Sequence, residues 1–215
     1  LCFVILCCCG TLFSQDAHKG KEFYFAELPW GGFECVLMLS SDTVTKGYIV
    51  LHKGGSLTDT LYFSLKQAQQ PIIIKYDGSK IGLRGGDHRS NSFIHNLQPQ
   101  KLSLYIRAEH DIQATCLTGP NGNGNEITLL YPVKAYGKEY IVVAPPSKYF
   151  TYTDNNNKIV QNYLYSQCCI VATENNTSIT IESPVNLIGA SERTLTATLQ
   201  KGESYLIQAR PSALD

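Results

Sequence analysis

Leu61-Tyr62-Phe63-Ser64-Leu65-Lys66-Gln67-Ala68-Gln69-Gln70 is the stretch on which the fold class turns. It is the nearest approach to a helix in the chain, yet aromatic residues sit at its centre, where a pleated, half-buried surface suits them. Leu61 to Leu65 therefore reads as a strand. No window of a dozen residues elsewhere sustains a 3.6-residue apolar period. Working outward, Phe23–Phe25, Val36–Leu39, Tyr48–Leu51 and Ile72–Tyr76 are short apolar or alternating runs bounded by Gly, Pro, Asp or Ser. Leu102–Ile106, Ile112–Leu117, Ile127–Tyr131 and Tyr140–Val143 continue the pattern. Two tight hairpins are expected: Val171–Thr173 with Ile179–Ile181 across Asn175-Asn176, and Leu195–Leu199 with Tyr205–Gln208 across Lys201-Gly202. The fold class is all-β.

The chain also matches itself. At an offset of 134, Cys35 falls on Cys169, Leu37 on Val171, Thr43 on Thr177, Thr60-Leu61 on Thr194-Leu195, Leu65 on Leu199 and Ile72-Ile73 on Leu206-Ile207. Gly20-Lys21-Glu22-Phe23 resembles Gly137-Lys138-Glu139-Tyr140 at an offset of 117. The difference implies an insertion of about seventeen residues in the second copy, assigned to Ser147–Gln167 around the polar loop Asp154–Lys158. The expected architecture is two tandem antiparallel β-sandwich-like units, the second incomplete. A propeller-like repeat of sheets is the alternative. The expected division is 1–15 as a secretory signal peptide, 16–130 as the first unit and 131–215 as the second, truncated at its C-terminus.

Composition narrows the function. Eighteen basic and eighteen acidic side chains leave the chain neutral, with 17% charged residues. That excludes a nucleic-acid binder working by bulk attraction, and 43% apolar content excludes wholesale disorder. Leu1 to Phe13 is an uncharged apolar run, shorter than the about 20 residues that span a bilayer. Its length suits the core of a signal peptide, with cleavage between about residues 11 and 18. The missing initiator Met and basic start imply a sequence cut at its front. No later stretch is apolar enough to span a membrane, so the chain is expected to be secreted.

Four of the eight cysteines lie in that leader, leaving Cys35, Cys116, Cys168 and Cys169 as disulfide candidates. If Cys35 and Cys169 are equivalent, Cys35 pairs with Cys116 and the partner of Cys169 lies beyond residue 215. The rival pairing ties Cys35 and Cys116 to the Cys168-Cys169 doublet. Without a C-x-x-C pair, zinc is not expected. No catalytic constellation emerges either. Gly85-Gly86-Asp87-His88-Arg89-Ser90 gathers acid, base and hydroxyl, but consecutive residues cannot form a triad facing one substrate. Gly119 to Asn125 lacks the Lys-Ser/Thr ending of a phosphate loop, and Asp154-Asn155-Asn156-Asn157 lacks the spaced acids of a calcium loop. The chain is thus read as non-enzymatic, without cofactor or metal. Asn175 and Asn176 open two overlapping N-glycosylation sequons, ending at Thr177 and Ser178.

Val171-Ala172-Thr173-Glu174-Asn175-Asn176-Thr177-Ser178-Ile179-Thr180-Ile181 and Leu199-Gln200-Lys201-Gly202-Glu203-Ser204-Tyr205-Leu206-Ile207-Gln208 resemble two signature segments of the IgGFc-binding protein N-terminal domain family. Upstream of both, Gly20–Phe25 is similar to its usual opening, and Leu130–Tyr140 to another of its segments. The resemblance covers about residues 20–215. It implies a secreted recognition or adhesion module at mucus or cell surfaces. Its partner would be an extracellular protein or glycan, immunoglobulin Fc only where the host makes it. Mucins or von Willebrand D-type domains are implied downstream. The alternative is a structural β scaffold cross-linking mucin-like or matrix chains. Tyr149, Tyr152, Tyr163 and Tyr165 are the expected ligand contacts, since tyrosine joins a large area to a polar tip.

Overall fold

A computed structural model describes residues 17–26, 28, 34–53, 58–77, 97–118 and 126–211. The apolar run Leu1–Phe13, expected to be a signal peptide, and the glycine-rich stretches 85–90 and 119–125 lie outside the described residues. All regular structure described is strand, apart from one 3-10 turn at Val133–Ala135. The all-β expectation holds.

The first half is organised around one strand. β7 (Leu102–Thr118) is 17 residues long and merges the two separate strands expected at Leu102–Ile106 and Ile112–Leu117. Its first part pairs antiparallel with β1 (Gly20–Phe25) on one edge and β3 (Thr45–Lys53) on the other. Its last part pairs with β2 (Glu34–Ser40) and β8 (Glu126–Leu130). β4 (Thr58–Leu65) continues the sheet beyond β3, and β5 (Ile72–Asp77) continues it beyond β2. The order is β4-β3-β7-β2-β5.

Alternation sets the layers. Leu104, Ile106, Ile112, Ala114 and Cys116 all point inward and are fully buried, with Ile49, Leu51, Phe23, Leu37 and Leu39 from the neighbouring strands. One core therefore joins side chains from both halves of the sheet, a sandwich-like arrangement rather than a ring of blades. Between those halves the β2–β3 connection holds β7: the Ser41 hydroxyl donates to the Asp111 carbonyl at 2.7 Å, and the Thr45 hydroxyl accepts the His110 N–H at 3.1 Å. Both hydroxyl residues are buried. At Gly47 any side chain would collide with the Arg107 carbonyl and the Phe63 ring, so the strands approach closely only with glycine there.

The second half repeats the pairing. β11 (Gln167–Val171) pairs with β14 (Ser204–Gln208), and β12 (Thr177–Glu182) pairs with β13 (Thr194–Leu199). This copies β2 with β5 and β3 with β4. Thr177 opposite Leu199 matches Thr45 opposite Leu65, so the Thr equivalence sits two residues from the expected Thr43–Thr177 match. A second core forms from Ala172, Leu187, Leu199, Tyr205 and Ile207, with Cys168, Ile170, Ile179 and Ile181 packed against it. Short β6 (Pro99–Gln100) joins the outer edge of β14.

Three expectations are corrected. Asn175-Asn176 and Lys201-Gly202 do not close hairpins; each links strands of different sheets, because β11 takes β14 and β12 takes β13 as partner. Tyr140–Val143 is not a strand, having no ladder partner among the described residues. The inserted segment is itself a hairpin, β9 (Lys148–Thr153) with β10 (Ile159–Leu164), whose tip is the predicted polar loop.

The cysteines distribute over both halves. Cys116 is fully buried in the first core. Register places Cys35 opposite Thr118 and Cys116 opposite Leu37, two positions apart on adjoining strands. Cys168 and Cys169 are free thiols on β11. Burial pushes the Cys169 thiol up to about 12.

The core makes a direct prediction. Replacing fully buried Leu104 by Ala should destabilise the protein by about 2–5 kcal/mol, and half-exposed Leu129→Ala by less than about 1 kcal/mol. Urea unfolding followed by fluorescence measures both.

Candidate functional site

Two tyrosine-bearing surfaces stand out, and they differ in how the chain builds them. The first is hairpin β9–β10, which has no counterpart before β2 among the described residues. Tyr149 lies opposite Tyr163 and Tyr152 opposite Val160. Residues 149 and 152, three apart on a strand, face opposite sides of the hairpin. Tyr152 is 46% exposed and neighbouring Ile159 74% exposed, while Tyr165 follows the hairpin at 37%. The structure thus brings Tyr149, Tyr152 and Tyr163 onto one two-stranded element, with Tyr165 just after it; the Tyr163 side chain lies outside the description. At the tip, the Asp154 carboxylate accepts the N–H groups of Asn156 and Lys158, both at 2.9 Å, and Asn157 takes a positive φ of 57°. That carboxylate organises the turn.

The second surface is one that sequence reasoning missed. On the outer face of the first sheet, Tyr24, Tyr105, Tyr48 and Tyr62 form a row across β1, β7, β3 and β4. Ring centroids are 4.8 Å apart for Tyr24–Tyr105, 6.2 Å for Tyr48–Tyr105 and 6.4 Å for Tyr48–Tyr62. These distances suit tilted and edge-to-face aromatic contact. The row ends on Tyr62, 83% exposed. Burial first, then the neighbouring phenols, pushes Tyr24 and Tyr105 up to about 12. The phenols therefore stay protonated, and Tyr105 donates to Glu22 at 3.2 Å. Glu22 is also ion-paired with Arg107. The signal was present in the alternation: Glu22/Tyr24, Tyr48/His52 and Tyr105/Arg107 occupy the outward positions of strands whose inward positions are Phe, Ile and Leu.

An open cleft of about 350 Å³ adjoins this row, lined by Tyr24, Val50, His52, Lys101, Tyr105, Asn175 and Lys201. The second half supplies its far wall. The Lys201 ammonium stands 5.9 Å from the Tyr105 ring centre, within cation–π reach. The Asn175 carboxamide accepts the Lys201 N–H at 3.0 Å, and the Gln200 side chain donates to Asn176 at 3.1 Å. Both sequon asparagines are exposed on this corner, and Asn176 takes a φ of 56°. Beneath it, the buried Ser103 hydroxyl donates to the Gly202 carbonyl at 2.7 Å. Gly202 has φ 78°, and a methyl added there would stand 3.0 Å from His52 Nε2.

His52 is the titratable group at this junction. Its Nδ1 is buried and makes no hydrogen bond to the described residues. Burial, aided by the Lys101 charge, holds its pKa below the ordinary 6.5. Among the described residues, no three His, Cys, Asp or Glu side chains gather to hold a metal, and no helix is long and apolar enough to cross a membrane.

The fold and these surfaces define an all-β chain whose distinctive features are tyrosine-bearing faces and turns. A family model described as IgGFc binding protein matches residues 126–214, from β8 through β14, which bears out the resemblance over that stretch. No curated protein and no solved structure matches the chain.

The His52 environment has a pH consequence. A base whose folded pKa is depressed binds fewer protons folded than unfolded, so stability rises with pH up to about 6.5 and is lost as pH falls below it. Thermal scans from pH 7.5 to 5 should show a falling Tm, with a shallower fall in His52→Gln.

Proposed function

We propose that the chain is part of a secreted, non-enzymatic recognition module that binds an extracellular protein or glycan through hairpin β9–β10. The family match over residues 126–214 carries this reading. The hairpin lies inside that stretch, and among the described residues its strands pair only with each other. Among the described residues the first copy of the pairing pattern has no such hairpin. The hairpin's exposed Tyr152 offers the aromatic area that an interface anchor needs, and exposed Ile159 lies on the opposite face of the hairpin.

Export fits the remaining candidates. Cys35 and Cys116 are proposed as a disulfide on the strength of the repeat; they stand diagonally, two register positions apart on β2 and β7, so closing the bond requires the strands to shift. Cys169 is proposed to pair with a cysteine after residue 215, as the repeat suggests. Asn175 or Asn176 carries one glycan, the two being too close for a pair. Non-reducing peptide mapping of the protein secreted from eukaryotic cells should show a Cys35–Cys116 linked peptide and single occupancy of the sequons. A mature protein retaining residues 1–15 contradicts the leader.

Binding is tested by screening the secreted protein against immunoglobulin G Fc, mucins and a glycan array. Tyr152→Ala should weaken the strongest interaction about 10-fold or more, with Tyr62→Ala within about 2-fold. The reverse ranking would move the site to the tyrosine row. Binding to nothing but itself would favour the structural scaffold.

A further inference from the structure

The two copies of the pairing pattern differ at one place. In the first, β7 pairs with both β3, along Leu102–Ala108, and β2, along Gln113–Thr118. In the second, the equivalent strands β12 and β11 each pair on one side only among the described residues. The copies otherwise correspond down to a turn: Gln69, at φ 60°, donates its N–H to the Ser41 carbonyl at 2.7 Å, and Gly202, at φ 78°, donates to the Ala172 carbonyl at 2.8 Å.

A second difference points to the same place. In the first copy β1 covers the outer edge of β7, and its Phe23, Tyr24 and following Ala26 are 0%, 7% and 9% exposed. The matching segment, offset by 117, is Gly137–Val143. There Tyr140, Ile141, Val142 and Val143 are 68%, 95%, 60% and 92% exposed. Four consecutive exposed apolar residues are a strand sequence without a ladder. The inward residues of β12 agree: Ile179 and Ile181 are only partly buried, whereas Ile49 and Leu51 on β3 are at 0% and 1%.

We propose that a strand of the same polypeptide, following Asp215, pairs with β11 and β12 along successive stretches of its length, as β7 pairs with β2 and β3, and pairs on the edge opposite β12 with Gly137–Val143. Chain order selects this occupant. In the first copy the inserted strand follows β5, and β5 corresponds to β14. Shifted by 134, Leu102–Thr118 falls at about residues 236–252. The strand should alternate apolar and polar residues as β7 does, its apolar positions closing the second core. Backbone hydrogen bonding on both edges supplies the affinity, as in strand addition to an open sheet.

The coding sequence downstream of Asp215 is the first check, and a stop codon there overturns the proposal. Hydrogen exchange then compares the 215-residue chain with one carried through about residue 260. Amides of residues 140–143 and of β12 should exchange at least about 100-fold more slowly in the longer chain, with β3 amides unchanged as a folded reference. Equal exchange in both chains overturns the assignment. So does protection in the shorter chain that grows with protein concentration, because a second copy would then be filling the gap.

Discussion

Everything in the first half depends on satisfying the backbone of β7. A strand of 17 residues, buried or half-buried over 102–108 and 112–117, carries hydrogen-bonding groups on both edges, and leaving a buried one unmade costs on the order of 1–3 kcal/mol. Four strands meet that demand: β1 and β3 along its first part, β2 and β8 along its last. These four come from both ends of the first hundred and thirty residues, so the strand cannot be completed locally. The sandwich follows as a consequence. Because all inward residues of β7 share one parity, both halves of the sheet turn their apolar faces to a common core.

This dependence also explains how the two halves meet. Gly202 puts its carbonyl over the buried Ser103 hydroxyl beside His52, and β6, just before β7, pairs with β14. The start of β7 therefore serves both cores. The cleft under the Asn175–Lys201 corner arises at this junction, where an aromatic sheet face meets polar turns. Its cations lie where tyrosine rings and a depressed histidine already set the electrostatics.

Much of the fold was legible in the residues, and what was not has a physical reason. Alternation at Tyr48–Leu51 and Tyr205–Gln208 located strands because inward and outward positions differ in polarity. The 134-residue offset found the repeated pairing because core positions such as Leu65 and Leu199 retain their character. Partner choice was not legible. Asn175-Asn176 has good hairpin chemistry, yet local turn preference contributes less than the long ladders that tie β11 to β14 and β12 to β13. The tyrosine row was hidden for a related reason: Tyr24, Tyr48, Tyr62 and Tyr105 are far apart in sequence, and only register brings them into one line. The Tyr149–Tyr165 group was visible because it is local.

The failure of Tyr140–Val143 to form a strand is the most instructive departure. Its residues have the composition of β1 and the same Gly-Lys-Glu lead, but strand propensity reports fit to a pleated neighbour and has little meaning without one. A segment can carry the correct pattern and remain extended and bare until its ladder arrives. The same holds for β12, whose inward isoleucines are only half-covered while its partner β13 is in place. The exposed run at 140–143 and the edges of β11 and β12 are the places that the proposed strand would complete together, as β7 completes β1, β2 and β3.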